Sequence, residues 1–251
     1  MSPSLKSSPN AERSDQELLE VNRQFYDSLW TDARLVEPQR FNTWSLVSSL
    51  LASGQSRLEV APGLRPRFPL EGTQFVDLSA PAIAKLKARG ASAAMGLISA
   101  LPFPDGSFDL ACAFDIVEHV DDDEAALSEL ARVCRPGAAL LLAVPLHASS
   151  WTAFDEFVGH RRRYEPTDLL RKLSKYGFAV EQSAIYGMQP ESSRLLDLGV
   201  WFLTHRRATA MRWYNRLFVP LSVRFQKSFS LGAGMIDTNK VDEVLLVCRR
   251  A

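Results

Sequence analysis

The chain is predicted to be an α/β protein built on a mostly parallel sheet with helices on both faces. Three observations carry the prediction. Short apolar runs that end in Gly, Pro or Asp alternate with segments whose apolar positions recur every three or four residues. The run Ala138 to Val144 is apolar throughout, which suits a strand covered on both faces. A length of 251 residues with 46% apolar composition supports one main core with embellishments.

The N-terminal stretch 1–14, rich in Ser, Pro and charge, is expected to be a disordered tail without assigned function. Residues 15–55 form an N-terminal helical region. Leu18, Val21, Phe25 and Leu29 give an amphipathic helix over Asp15 to Trp30, and Pro38 to Leu51 offers a second. Residues 56–251 then form the main domain. Leu58 and Val60 belong to a strand ending at Pro62-Gly63, and Phe75 and Val76 to one ending at Asp77. Pro66 and Pro69 would each cost a helix interior roughly 3 kcal/mol, so no long helix joins these strands. Parallel pairing would bring Glu59 and Asp77 toward one edge. Ligands of open α/β sheets bind beyond the carboxyl ends of the strands, where a carboxylate suits the paired hydroxyls of a ribose.

Pro81 and Gly90 bracket a helix carrying Ile83 and Leu86, and Ala93 to Met95 reads as a short third strand. Phe108 to Phe114 is a stronger strand, entered through Pro104-Asp105-Gly106. Asp121 and Glu124 make a capping-box pattern for a helix whose inner stripe is Leu127, Leu130, Ala131 and Cys134, stopped by Pro136-Gly137. The segment 147–164 is a loop or broken helix holding His147, His160 and the run Arg161 to Arg163. A helix over Pro166 to Tyr176 and a strand over Phe178 to Ile185 follow. A helical insertion at about 187–240 precedes the last strand, Glu243 to Cys248. Its aromatics and arginines suit a substrate cover, a homodimer face or a membrane-surface contact, and packing of a helical pair on the sheet is the simplest expectation.

Composition narrows the partners. A formal net charge of +0 supplies no global field for nucleic acid or an anionic membrane, local clusters aside, and no nucleic-acid partner is expected. Cys112, Cys134 and Cys248 lie apart in apolar stretches and read as buried free thiols of a reducing compartment. No metal-ligand spacing is present, and no metal site is expected. With no signal-like segment and no run near the ~18 apolar residues of a membrane span, a cytoplasmic location is expected.

Glu59-Val60-Ala61-Pro62-Gly63, Val76-Asp77-Leu78-Ser79 and LPFPDGSFDLACAFDIVEHV from Leu101 to Val120 resemble class I S-adenosylmethionine-dependent methyltransferases of the type 11-like group. The resemblance implies a Rossmann-like three-layer sandwich with an antiparallel last strand, S-adenosyl-L-methionine as cofactor, and methyl transfer to a small molecule. The loop is a variant one, because Ala61 and Arg65 stand where glycines are usual and only Gly63 matches. As cofactor contacts the resemblance implies Glu59 toward the methionine end, Ala61 and Gly63 in the loop, and Asp77 with Leu78 at the ribose. Leu97 stands where an acid usually meets adenine, which leaves apolar packing and backbone groups near Ile98. Phe114 and Asp115 would line the cofactor beside the transfer site.

An oxygen or nitrogen acceptor calls for a general base, and His119 and His160 are the candidates. Tyr26 and Trp30 are either a lid on the cofactor or ordinary packing on the sheet. Arg161 to Arg163 either bind an anionic substrate or form a solvated surface. Two other functions stay open. One is a non-catalytic cofactor-binding or regulatory protein, for which Ala61, Arg65 and Leu97 speak. The other is a nicotinamide-dependent oxidoreductase, whose G-x-G-x-x-G loop is absent.

Overall fold

The computed structural model describes residues 15–52, 54–187, 201–202, 205–228 and 230–251. The expected tail over 1–14 lies outside them, as do residues 188–200, 203–204 and 229 of the expected insertion.

The strands are β1 (Arg57–Val60), β2 (Thr73–Asp77), β3 (Ser92–Met95), β4 (Phe108–Phe114), β5 (Cys134–Pro145), β6 (Phe178–Tyr186), β7 (Gly232–Ala233) and β8 (Glu243–Arg250). They form one sheet in the order β3-β2-β1-β4-β5-β8-β6-β7. The first five are mutually parallel, while β8 runs antiparallel to both β5 and β6. The antiparallel last strand expected from the resemblance is therefore present. Strand order reverses between β1 and β4, the crevice at which doubly wound sheets bind ligands.

The helices are α1 (Asp15–Thr31), α2 (Trp44–Leu50), α3 (Ala80–Ala88), α4 (Asp123–Val133), α5 (Ala153–Val158), α6 (Pro166–Lys175), α7 (Arg207–Trp213) and α8 (Val219–Arg224). No helix occupies residues 61–72, as Pro66 and Pro69 require. The second N-terminal helix is broken: a 3-10 turn at Pro38–Arg40 and a bend through Phe41 precede α2. The cap of α4 sits one residue later than the Asp121–Glu124 pattern suggests, with the Asp122 carboxylate accepting from the Ala125 amide at 2.8 Å. Pro136-Gly137 does not stop that helix. The pair lies inside β5, at a register shift against β4 that accommodates the missing proline donor.

Leu140, Leu142, Val144 and Leu246 pack with Leu127, Leu130, Leu169 and Leu173 on one face of the sheet. Leu110, Leu141 and Leu245 meet Val47 and Phe68 on the other. Full burial is worth about 1.5–3 kcal/mol for each such side chain, so the sheet core is the main stabilising unit. The three cysteines are buried and free.

Candidate active site

Backbone strain gathers at the carboxyl edge of the parallel strands. Four non-glycine residues of the described chain have positive φ: Ala61 and Asp115 directly follow β1 and β4, and His147 lies two residues beyond β5. Such conformations cost about 1–3 kcal/mol each and persist where the surroundings fix them, commonly around ligands.

Asp77 ends β2 and is 7% exposed. Its carboxylate accepts from the Gly63 amide at 2.8 Å and the Ser79 amide at 2.7 Å, joining the β1 loop to the start of α3. Burial raises its pKa to about 6 against these bonds. Glu59 is directed into the same loop. Its two oxygens accept from the amides of Arg67 and Phe68 at 2.8 and 2.9 Å, and burial raises its pKa to about 7. The geometry gives Glu59 a loop-holding role. This closes the connection that elsewhere would be a helix.

The indole of Trp30 lies on Gly63: a Cβ added there would stand 2.1 Å from the ring. Trp30, Phe25 and Leu29 are buried against Leu64, Phe75, Ala82 and Leu86, so α1 is seated on this edge. The Tyr26 hydroxyl is 3.2 Å from His119 Nε2. Both aromatics thus face the candidate site. Two surface hollows of about 460 and 300 Å³ lie elsewhere, one between α4 and α6 and one beside the start of β2, and neither touches Asp77 or His119.

Leu97 and Ile98 follow β3, with Ile98 buried and Leu97 half-buried, as is Leu78 after β2. Phe114 is directed into the opposite core, where it meets the Tyr186 ring at 5.4 Å. Asp115 hydrogen-bonds Glu243 at the start of β8. Burial raises both carboxyls and Glu118 as well, with Asp115 adding to the last two by repulsion. The Arg67 guanidinium offsets part of this for Asp115 and Glu243.

His160 is held by a fixed network. Its Nδ1 lies 2.8 Å from Asp155 Oδ1, and Asp155 also takes two bonds of 3.0 Å from Arg163. Burial works to raise Asp155, but the bonds from His160 and Arg163 outweigh it and leave the carboxyl well below its usual range. An anionic Asp155 accepts at Nδ1, which turns Nε2 toward Glu118, 3.8 Å from its Oε1. The His119 ring meets the His160 ring edge-on at 4.6 Å, and burial, assisted by His160, holds His119 well below its usual pKa. Glu118, His119 and His160 each present an atom within 4.8 Å of the others, close enough to gather a cation. Each imidazole already commits one nitrogen to a protein partner.

The run Arg161 to Arg163 is not a solvated surface. The side chains of Arg163 and Asp155 are both 0% exposed, and Arg161 and Arg162 pair with Asp121 and Asp123. Asp155 and Arg163 were missed as site residues because their pairing needs α5 to turn the chain back. The signal is Asp155 with His160 and Arg163 at short spacing. Glu243 arrives from the last strand, and no local pattern announces it.

Residues 66–142 match the methyltransferase domain family. The matched stretch holds Asp77, Leu97, Asp115 and His119 but begins after the variant loop. The match covers about a third of the chain, so what it shows is similarity to a methyltransferase domain from β2 into β5. A probable S-adenosylmethionine-dependent methyltransferase of Mycolicibacterium smegmatis is 32% identical over 90 residues, 35% of each chain. The chain thus spans about a third of the length of that curated relative, and 24% of an ajmaline N-methyltransferase of Rauvolfia serpentina that is 34% identical over 70 residues. Among solved structures, a possible histamine N-methyltransferase of Thermotoga maritima superposes with a TM-score of 0.56 at 18% identity, over 94% of each chain. That likeness is one of fold.

Proposed function

We propose that the protein transfers a methyl group from S-adenosyl-L-methionine to an oxygen or nitrogen of a small-molecule acceptor. The observation that carries this reading is the buried Asp77 carboxylate at the end of β2, bonded to Gly63 beside the strand-order switch of a class I methyltransferase fold. The residues present fit the cofactor. Asp77 supplies a ribose acceptor, Gly63 a backbone surface without a side chain, Ile98 and Leu97 an apolar flank, and Asp115 the strained turn after β4. When bound, the cofactor supplies an electrophilic methyl on a sulfonium.

The chain's own work is positioning and proton removal. Holding the reactants in line contributes several kcal/mol to lowering a barrier. His160 takes the acceptor's proton at Nε2, with Asp155 stabilising the imidazolium that forms. His119, kept neutral by burial, borders it and is held by Tyr26. Trp30 occupies the surface of Gly63, so α1 acts as a lid that moves aside for the cofactor.

The test is a melting series with S-adenosyl-L-methionine, its demethylated product and a nicotinamide dinucleotide. Ligand at about 100 times its dissociation constant adds roughly 2.7 kcal/mol. Stabilisation by the first two and not the third is expected. No shift and no calorimetric heat at millimolar concentration would exclude the reading.

A further inference from the structure

Between Asp197 and Asp237 the sequence places six Arg and Lys residues and no carboxylate, in a chain whose net charge is +0. The described part of this insertion is a continuous helical run through α7, a π-helical turn at Tyr214–Phe218, and α8. Pro220 has no N–H for the carbonyl one turn back, and the wider turn precedes it. One side is anchored: Asn215 donates to the Leu29 carbonyl at 2.9 Å, and Val219 and Val223 are buried against Phe41. This side packs on the N-terminal segment, and most of the first helix of the pair expected on the sheet lies outside the described residues.

The opposite side is apolar and faces solvent. Ten large apolar side chains are exposed among the described residues, and eight of them fall within 201–225, with Trp213 and Phe218 each 58% exposed and Phe225 72%. So dense a patch marks an interaction surface. Arg212, Arg216, Arg224 and Lys227 are exposed around it. We propose that this face seats the protein on an anionic lipid bilayer, with Trp213, Leu217, Phe218, Leu221 and Phe225 entering the headgroup region and the basic side chains meeting lipid phosphates.

The shape and charge favour lipid over a second copy of the chain. The apolar residues form a convex ridge on a helix, which a fluid interface envelops without a matching groove. A two-fold dimer through this face would bring two segments of six cations together with no carboxylate in either. No helix among the described residues is long and apolar enough to cross a membrane, so the contact is peripheral. It also adjoins the candidate site, because the Arg65 guanidinium lies between Trp30 and Tyr214, at 5.2 and 5.1 Å from their rings.

The test is sedimentation of the full chain with vesicles of phosphatidylcholine, alone or doped with phosphatidylglycerol. Doped vesicles should bind it more tightly, by about fivefold per basic residue engaged, with the gain lost at high salt. Trp213→Ser with Phe218→Ser should weaken partitioning about 100-fold or more while melting stays unchanged, since both side chains point to solvent. Arg216→Gln with Arg224→Gln should remove most of the preference for anionic vesicles. Failure to sediment with either vesicle at low salt, or sedimentation unaffected by both double variants, would overturn the proposal. So would a stable dimer by light scattering that the Trp213→Ser, Phe218→Ser variant dissociates.

Discussion

A methyl group placed on Gly63 tests whether α1 closes the site as the geometry indicates. A Cβ there would meet the indole of Trp30 at 2.1, 2.3 and 2.8 Å, distances that no small adjustment relieves. The residue also has φ +53°, so any L side chain carries the left-handed penalty of about 1–2 kcal/mol. Overpacking adds roughly 1–3 kcal/mol, and Gly63→Ala should therefore cost about 2–5 kcal/mol in urea unfolding. Trp30→Ala, which empties a site 6% exposed, should itself cost about 3–5 kcal/mol. In the Trp30→Ala background the clash disappears and Gly63→Ala should cost only the conformational 1–2 kcal/mol or so. The double-mutant cycle should thus show a coupling of about 1–3 kcal/mol. Equal costs of Gly63→Ala in both backgrounds would mean that Trp30 does not rest on the loop, and the lid would be refuted.

Acid should favour the fold. Burial raises Glu59 to about 7 and Asp77 to about 6, so the folded state keeps protons that the unfolded chain releases near 4. This contribution is complete below the unfolded values and lost as pH rises through 6 and 7, an effect on the order of 3 kcal/mol for Glu59. Melting temperatures should fall from pH 5 to 8, and Glu59→Gln should flatten that fall; an unchanged slope would contradict it. Asp155→Ala strands a buried guanidinium and should cost about 3–5 kcal/mol, read by urea unfolding, whereas a loss under ~1 kcal/mol would show that Arg163 finds water. His160→Gln should lower kcat about 10²- to 10⁴-fold with unchanged cofactor affinity once an acceptor is known, and full activity across pH would remove it as the base.

Much of the fold was legible because its signals are local. Phe108 to Phe114 is preceded by a Pro-Asp-Gly turn and is apolar apart from Asp109, and the strand has those limits. The three consecutive acids Asp121 to Asp123 each could cap α4, and only the path of the chain from Val117 selects Asp122. Asp77 could be placed because the end of a strand is its own landmark. The buried arginine run was misread because charge suggests solvent until its partners are known, and Asp155 and Asp123 reach it only through tertiary packing. The resemblance implies Glu59 toward the methionine end of the cofactor, while its two bonds to the Arg67 and Phe68 amides depend on a loop conformation that no periodicity encodes.

The most direct test of the account is calorimetric titration of S-adenosyl-L-methionine into the wild-type protein, Asp77→Ala and Asp77→Asn. A hydrogen bond to a charged group is worth about 1.5–3 kcal/mol, so Asp77→Ala should weaken binding roughly 10- to 150-fold, with Asp77→Asn between because its amide oxygen still accepts. Both variants also lose anionic acceptance from Gly63 and Ser79, and circular dichroism with melting should confirm a folded, somewhat less stable protein. Wild-type affinity in folded Asp77→Ala would contradict the placement of the cofactor at this edge of the sheet.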